Sequence, residues 1–462
     1  QISSSIYLSE HIIEEKKYDL PIVYVSTPVI SLTECIEIAK FNYEPLKLAE
    51  EDKIIKKSKL LNTTRNLYPK ASIIADETLG KEQEHVGEPG FKEQSVGLQL
   101  IHPIYKGREL VNSRKQAKIT HKISTIKIDS IKNELLYSVT EAYLNVLKGL
   151  LILRINEKLV EDINKYVKMA EELYSTLSIN KKDFLASKAL QEQVMYGLRV
   201  ARLEYEKYLW KWNSAMGIEK SLERNPYFSL DIQEGDLDLY ACLQKAERNN
   251  FEVVLKKLER DSEKYQYKIR KAKDIPSLKF EGFYGRSASA YLNEEFKFKE
   301  DYQFDFKFEY KFFSNLLTAS SGKQVTSPKL GQSSITEAET SNITIDLLNN
   351  IEDNIKQKEA KHVLNKATYE YEKSIIDIKN KVHETYFNWK KALMQMRSVK
   401  TNLALANTEF SVALVNFQDS KISIYELMTY RQKIAKSNAE FFEAKIFYLI
   451  TLSEMQKLIG NS

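Results

Sequence analysis

The sequence predicts an α+β membrane protein that is built as an internal tandem repeat of very long helices and a few β-strands. Helical patterns run for dozens of residues without proline. Corresponding residues recur at two fixed spacings, 207 residues before an insertion in the second half and 243 after it: Gly217 and Gly460 lie 243 residues apart, as do Asp183 and Glu426. Residues 302–312 alternate strictly between aromatic and polar side chains, which is the pattern of a strand with two different faces.

Composition narrows the classes of function. The 462 residues carry a net charge of only +5, with acidic and basic side chains interleaved, so no nucleic-acid partner is expected. The six histidines show no metal-ligand spacing, and no HExxH, CxxC or GxGxxG motif occurs. Carboxylate pairs such as Glu171 and Glu172 lie on helical faces and are typical of solvated surface. We therefore expect no enzyme activity, no cofactor and no metal site.

The chain opens on residues 1–30, an irregular extension in which Pro21 and Pro28 bracket an extended stretch. It shows no basic-then-apolar leader, so the protein is expected to be cytosolic or to have lost a signal peptide before Gln1. We see no apolar run long enough to cross a bilayer as a helix, since residues 144–155 are interrupted by Lys148 and Arg154.

The first repeat spans residues 31–217. Ser31 and Glu34 form a capping-box pattern that begins a helix, which continues to about residue 65 with a bend near Pro45. Two strands follow within about residues 68–104. A helix over residues 108–176, about 100 Å long at 1.5 Å per residue, then leads into a return helix over 182–216.

After a linker over residues 218–235, the same order recurs in a second repeat over 236–460. It comprises a helix, two strands within about 276–313, an insertion over 314–345, and helices over 346–417 and 423–459. The insertion is rich in Ser and Thr and is predicted to be a surface loop near the junction of strands and helix. Cys35 and Cys242 occupy equivalent positions, 207 residues apart; small buried apolar residues are the favoured interpretation, and a disulfide is the alternative in an oxidising compartment.

The alternating strand over residues 302–312 indicates what kind of sheet this is. In water its aromatic face would promote aggregation, whereas a membrane β-barrel requires apolar side chains toward lipid and polar ones toward the lumen. We therefore expect four side chains to face lipid: Phe304, Phe306, Phe308 and Tyr310. Four strands are too few to close a barrel, which needs about eight, so several chains must share one.

Several motifs together resemble a known family. They cover residues 32–39, 68–69, 103–108, 141–144, 417–427 and 458–460. With them the chain resembles the TolC-family outer membrane efflux proteins over residues 31–460. The resemblance implies a homotrimer in the cell outer membrane whose barrel takes four strands from each chain and continues as a helical barrel in the periplasm. It also implies a passive duct, in tripartite efflux or type I secretion, that works with a periplasmic adaptor (membrane fusion) protein and an inner-membrane RND or ABC transporter.

The same resemblance implies roles for residues at the tips of the two helical hairpins. The pore constriction is expected at Glu426, Thr429 and Asp183. Contacts with the adaptor are expected at the hairpin tips, at Leu177, Ser178, Asp419, Ser420 and Lys421. Packing of the closed gate is expected from Phe417 and Ile422. The glycine usual at each tip in the family is replaced here by Leu177 and Ser420.

The competing interpretation is a long coiled-coil scaffold protein of the cytoplasm. The interleaved charges and the helix lengths favour it. The predicted strands and the interrupted heptads argue against it.

Overall fold

The structure is a computed structural model that describes residues 29–81, 90–218, 225–227, 235–292, 294–327, 330, 334–348 and 351–460. The chain divides into two compact units. The helical unit contains the described residues of 1–48, 128–253 and 375–462, and the sheet unit contains those of 49–127 and 254–374. Most of the predicted extension (1–28), part of the loop predicted between the first two strands (82–89) and most of the linker lie outside the described residues.

The helices follow the predicted order in both repeats. Those of the first repeat are α1 (Leu32–Asn42), α2 (Glu44–Arg65), α3 (Glu109–Ser175) and α4 (Lys181–Ala215). Those of the second are α5 (Leu239–Asn249), α6 (Phe251–Ala272), α7 (Ile351–Gln418) and α8 (Ile424–Ile459). Gly217 and Gly460, at φ of 67° and 69°, follow the two return helices in the left-handed conformation that glycine adopts without strain.

The first helix of each repeat is broken rather than bent. The breaks fall at Tyr43 and Asn250, which are 207 residues apart. Only the first break has a proline nearby, so proline is not what the two breaks share. In the second, the Asn250 side chain caps α6 by accepting hydrogen bonds from the backbone N–H groups of Glu252 (3.0 Å) and Val253 (3.4 Å), and it donates to the carbonyl of Leu458 (3.0 Å).

The strands form one six-stranded antiparallel sheet and one short parallel pair. The strands in chain order are β1 (Val29–Ile30), β2 (Lys70–Lys81), β3 (Gly90–Lys106), β4 (Asn225–Pro226), β5 (Ser277–Tyr291), β6 (Lys299–Phe312), β7 (Asn315–Thr326) and β8 (Thr336–Asp346). The order in the large sheet is β2-β3-β5-β6-β7-β8, while β1 pairs with β4. The hairpins of the two repeats therefore lie side by side, joined by the antiparallel pairing of β3 with β5.

The insertion over residues 314–345 is not a surface loop. It forms the hairpin of β7 and β8, and β7 pairs with β6 from Phe312–Asn315 to Tyr302–Val325. The chain thus contributes six strands to the sheet and not the predicted four. The α+β class with long helices and a sheet is confirmed, whereas the strand number was wrong because Ser, Thr and Gly in β7 obscure its alternation.

Equivalent residues of the two repeats form the apolar core of the helical unit. In the first repeat, Cys35 is fully buried and Tyr143 packs its ring edge-on to Trp212 at 6.1 Å. The Tyr143 hydroxyl donates to the carbonyl of Tyr227 (2.8 Å). Cys242 is also buried, which raises the pKa of its thiol. No disulfide joins the two cysteines, so the interpretation as small buried residues is the one that the structure bears out.

One part of α3 is apolar and long enough to pass as a membrane-spanning helix, contrary to expectation, and 44% of that window is buried inside the structure. The core helix of a folded protein meets the same criterion. Here Leu144, Leu147 and Leu151 pack against Phe442 and Ile446 of α8, so the apolar run has partners within the helical unit.

Candidate functional site at the hairpin tips and on the sheet

The two helical hairpins end in turns of the same geometry. At the first tip, the backbone N–H of Ser178 donates to the carbonyl of Leu173 (2.8 Å), and that of Leu177 donates to the carbonyl of Tyr174 (3.1 Å). At the second tip, Lys421 donates in the same way to Asn416 (2.8 Å). This is the Schellman arrangement, in which the residue after the helix takes the left-handed conformation.

Leucine and serine occupy the positions where that turn favours glycine. Leu177 and Ser420 both have φ of 57°. The left-handed conformation costs a residue with a Cβ about 1–2 kcal/mol. Leu177 also leaves 87% of its surface exposed. The first tip therefore presents a strained, uncovered apolar side chain.

The other predicted tip residues are exposed as well. Ser178, Asp419, Ser420 and Lys421 all lie on the surface of the helical unit. The Lys421 ammonium binds the Asp419 carboxylate at 2.8 Å, which holds the two opposite charges together beside the turn. The structure thus brings the five predicted residues to the two turns, and their contact with an adaptor stays a prediction.

The acids expected at the constriction begin the return helices. Glu426 is the third residue of α8. Its Oε2 atom accepts a hydrogen bond from the backbone N–H of Ser423 (2.8 Å), and the Ser423 hydroxyl oxygen accepts one from the backbone N–H of Glu426 (3.2 Å). This reciprocal pair is a capping box. Asp183 occupies the same place in α4, where Asn180 is the cap and donates to Asp183 Oδ2 (2.9 Å). Glu426 is exposed and Asp183 is half-buried, and both lie at the positive end of a helix dipole.

Thr429 lies one turn beyond Glu426 in α8, and the predicted gate residues flank the turn of the same hairpin. The Thr429 hydroxyl donates to the carbonyl of Glu426 (2.6 Å), so its polar group is bound to its own helix. Phe417 and Ile422 are half-buried on either side of the turn. Ile422 lines a cleft between α7 and α8 together with Val412 and Tyr430. The roles of these residues in constricting or closing a pore stay predictions.

Sequence reasoning missed an ion pair just below the second tip. The Arg431 guanidinium binds Asp162 Oδ2 through Nε at 2.8 Å and Nη2 at 2.6 Å. These two side chains are only 19% and 16% exposed, and the guanidinium also lies over the Phe410 ring. The pair links α8 to α3, and an arginine in line with the buried Leu427 and Ile434 was the sequence signal that could have indicated it.

The large sheet has two chemically different faces. Its aromatic face carries the side chains predicted to contact lipid, Phe304, Phe306, Phe308 and Tyr310, which are 37–49% exposed. In the neighbouring strand, the Phe280 ring lies 5.1 Å from that of Phe306, tilted by 51°. The alternate residues of β6, such as Asp305 and Lys307, fall on the opposite face. The predicted alternation is therefore realised, and orientation toward lipid stays a prediction.

Charged side chains also connect the large sheet to the first turn of α7. Asp353, in the first turn of α7, accepts from the Lys273 ammonium (2.7 Å) and from that of Lys311 in β6. Burial alone would raise the pKa of Asp353, but the two ammonium groups outweigh it and lower the pKa to about 2. Across the described ranges, no group of three or more His, Cys, Asp or Glu is arranged to hold a metal ion.

Comparison with known proteins places this geometry in context. Residues 242–461 match the family described as outer membrane efflux protein. No curated protein matches the chain significantly. Among solved structures, the Campylobacter jejuni CmeC outer membrane channel is similar, with a TM-score of 0.72, 14% identity, and coverage of 93% of this chain and 85% of that one.

The VceC outer membrane protein of Vibrio cholerae has a TM-score of 0.69 at 11% identity and covers 93% of this chain and 96% of that one. The open MtrE outer membrane channel of Neisseria gonorrhoeae has a TM-score of 0.67 at 13% identity, with coverage of 93% and 88%. At these identities the likeness concerns the fold. The resemblance to the TolC family is thereby confirmed: residues 242–461 match the outer membrane efflux protein family, and the chain as a whole has the fold of these outer membrane channels.

Proposed function

We propose that this protein is the outer membrane duct of a tripartite efflux or type I secretion system. It would act as a homotrimer that passively conducts substrates out of the periplasm. The observation that carries the proposal is the aromatic face of the sheet, exposed along β6 and backed by a charged face. Such a sheet is stable in a bilayer as part of a barrel with a polar lumen, and six strands do not close a barrel alone.

The hairpin tips are the surface where this duct would meet its partners. Leu177 has a strained backbone and is 87% exposed, so its side chain has no packing role within the chain. Exposed apolar side chains of this kind are typical of protein contacts. The tips would therefore bind a periplasmic adaptor protein, and through it an inner-membrane transporter of the RND or ABC class. In this proposal the chain lies in the cell outer membrane and its helices extend into the periplasm.

Reconstitution tests the duct. The purified protein is added to a planar lipid bilayer, and its mass is measured in detergent under native conditions. We expect discrete channel openings and a mass of three chains. A monomer that stays in solution without detergent and forms no channels would overturn the proposal and favour the cytoplasmic scaffold.

The tip contact has its own test. Leu177→Asp places a charge on the exposed apolar side chain, and we expect it to lower adaptor co-purification and export at least tenfold, about 1.4 kcal/mol of binding. The matched control is Leu292→Asp, because Leu292 is 67% exposed just after β5, far along the chain from either tip. Equal loss in both variants, or none in Leu177→Asp with the trimer intact, would contradict the assignment of this tip.

A further inference from the structure

The six-stranded sheet ends in two edges of matching length. One edge is β2, with 12 residues, and the other is β8, with 11. Within the described chain, each of these strands has a neighbour on one side only. Each edge therefore presents a row of backbone N–H and C=O groups that a further strand would satisfy.

The β7–β8 hairpin occupies the position where a four-stranded sheet would end. β7 pairs with β6 along 11 residues, from Phe312 to Tyr302, so no other chain has access to that edge of β6. The hairpin adds two antiparallel strands, so the new edge strand β8 runs in the same direction as β6. A strand that would pair antiparallel with β6 therefore also pairs antiparallel with β8.

The hairpin also continues both faces of the sheet. Leu317 and Ala319 lie opposite Tyr310 and Phe308, and next to them Ile345 and Ile343 follow on β8. The other face of the hairpin is polar and almost uncharged. Its residues are Thr318, Ser320, Gln324, Thr340, Asn342 and Thr344. This distribution suits a strand pair with one side toward lipid and the other toward water.

On the aromatic face, the hairpin is apolar only at its base, the end at which Leu316 pairs with Asp346. On the same face but nearer the other end of the hairpin, Lys323 and Glu337 form an ion pair, and Lys323 lies opposite Phe304 of β6. On β2, the aromatic face is likewise apolar at the base, at Ala71, Ile73 and Ala75. The two edges therefore share the same order of apolar and charged side chains from base to loop.

We propose that β8 of one copy pairs with β2 of the next, so that three copies close a barrel of about 18 strands. The inference rests on the trimeric duct proposed above. A register with Ile73 opposite Ile345 keeps both residues on the aromatic face, sets Ala75 opposite Ile343, and brings Lys81 opposite Glu337. No open edge is then left in the lipid, which a bilayer requires.

The additional strands would widen the outer membrane section. Barrel diameter grows roughly linearly with strand number, so about 18 strands give a diameter about half again that of 12. Barrels of about 16–18 strands enclose an aqueous channel without a plug. The narrowest point of the duct would accordingly lie outside the sheet.

Cysteine pairs test the edge-to-edge contact. In Ile73→Cys/Ile345→Cys, oxidation is expected to link copies into a covalent trimer on a denaturing gel, and reductant should reverse it, because opposed Cβ atoms are about 4.5–5.5 Å apart. Ala75→Cys/Ile343→Cys is the second pair, in case the first variant fails to fold. Ile74→Cys/Ile345→Cys is the control, since Ile74 lies on the other face of β2 and should not link.

Two further pairs measure the alternative, in which β6 meets the neighbouring copy. They are Ile73→Cys/Phe308→Cys and Ile73→Cys/Tyr310→Cys. Links through these β6 cysteines, or an intact trimer without links through either β8 pair, would overturn the inference. Native mass measurement of the same samples separates this outcome from failure of the proposed function, because the duct requires the trimer whichever strand forms the edge.

Discussion

At the scale of single residues, Asp353 shows how charge fixes the start of a very long helix. Its carboxylate joins the end of α6, strand β6 and the first turn of α7 through two lysines. It is 20% exposed, so solvent screens these contacts only in part. Three elements of the sheet unit thereby meet at one acid.

This geometry predicts a pH dependence. The folded pKa of about 2 lies below the ordinary value of 3.8, so the contact contributes about 2 kcal/mol above pH 4 and loses it as the pH falls toward 2. We expect the temperature at which the protein unfolds to fall over this range. Asp353→Asn should lower that temperature at neutral pH and flatten its pH dependence. The matched control is Glu352→Gln, whose exposed side chain should contribute little, and equal curves for Asp353→Asn and wild type would contradict the role.

At the scale of elements, the missed features depend on distant partners. Helix ends and strands β2, β3, β5 and β6 were predictable because each has a local period or a local cap. β7 was not, because its aromatic-face side chains include Ser321 and Lys323, which resemble a polar loop. The pair of Arg431 with Asp162 spans 269 residues, and no local pattern identifies such a partner. The tip residues lie at the two turns that the sequence indicated, their contact with a partner stays a prediction, and their hydrogen bonds required coordinates.

Strand β6 supplies the second prediction. If the aromatic face meets lipid, Phe306→Arg should destabilise the protein by about 2–4 kcal/mol when it lies near the midplane of the bilayer. Lys307→Gln, one residue on and on the opposite face, is the control and should be nearly neutral. Unfolding of the protein in lipid vesicles by urea measures both. Equal effects would indicate that the two faces have the same surroundings.

The ion pair of Arg431 in α8 with Asp162 in α3 supplies the third prediction. Removing one partner of a largely buried ion pair costs about 3–5 kcal/mol, because the remaining charge loses its main partner. Without Arg431, Asp162 would keep only the more distant ammonium of Lys158, at 3.7 Å. Asp162→Leu and Arg431→Met should each destabilise the helical unit by that order, and the double variant should recover most of the loss. Lys433→Met is the control, since its pair with Glu409 is more exposed. Denaturant unfolding followed by helical circular dichroism measures these differences, and additive effects would show that the two side chains act independently.

At the scale of the whole molecule, a trimer would bring three copies of each hairpin tip together. Glu426 would then have two roles, because its carboxylate caps α8 and its charge would contribute to an acidic ring. Asp183, its equivalent in the first repeat, would supply a second candidate ring. Rings of acidic side chains make a pore cation-selective and sensitive to block by multivalent cations.

Because glutamine also completes a capping box, Glu426→Gln removes the charge while leaving the start of α8 intact. We expect it to weaken cation preference and block by a trivalent cation in single-channel recordings, with little change in trimer stability. Ser423→Ala is the matched control, since it removes the cap, at a cost of about 1 kcal/mol, and leaves the charge in place. If selectivity and block persist in Glu426→Gln and disappear in Asp183→Asn, the constriction belongs to the first hairpin. Unchanged recordings in both would show that neither acid lines the narrowest part of the pore.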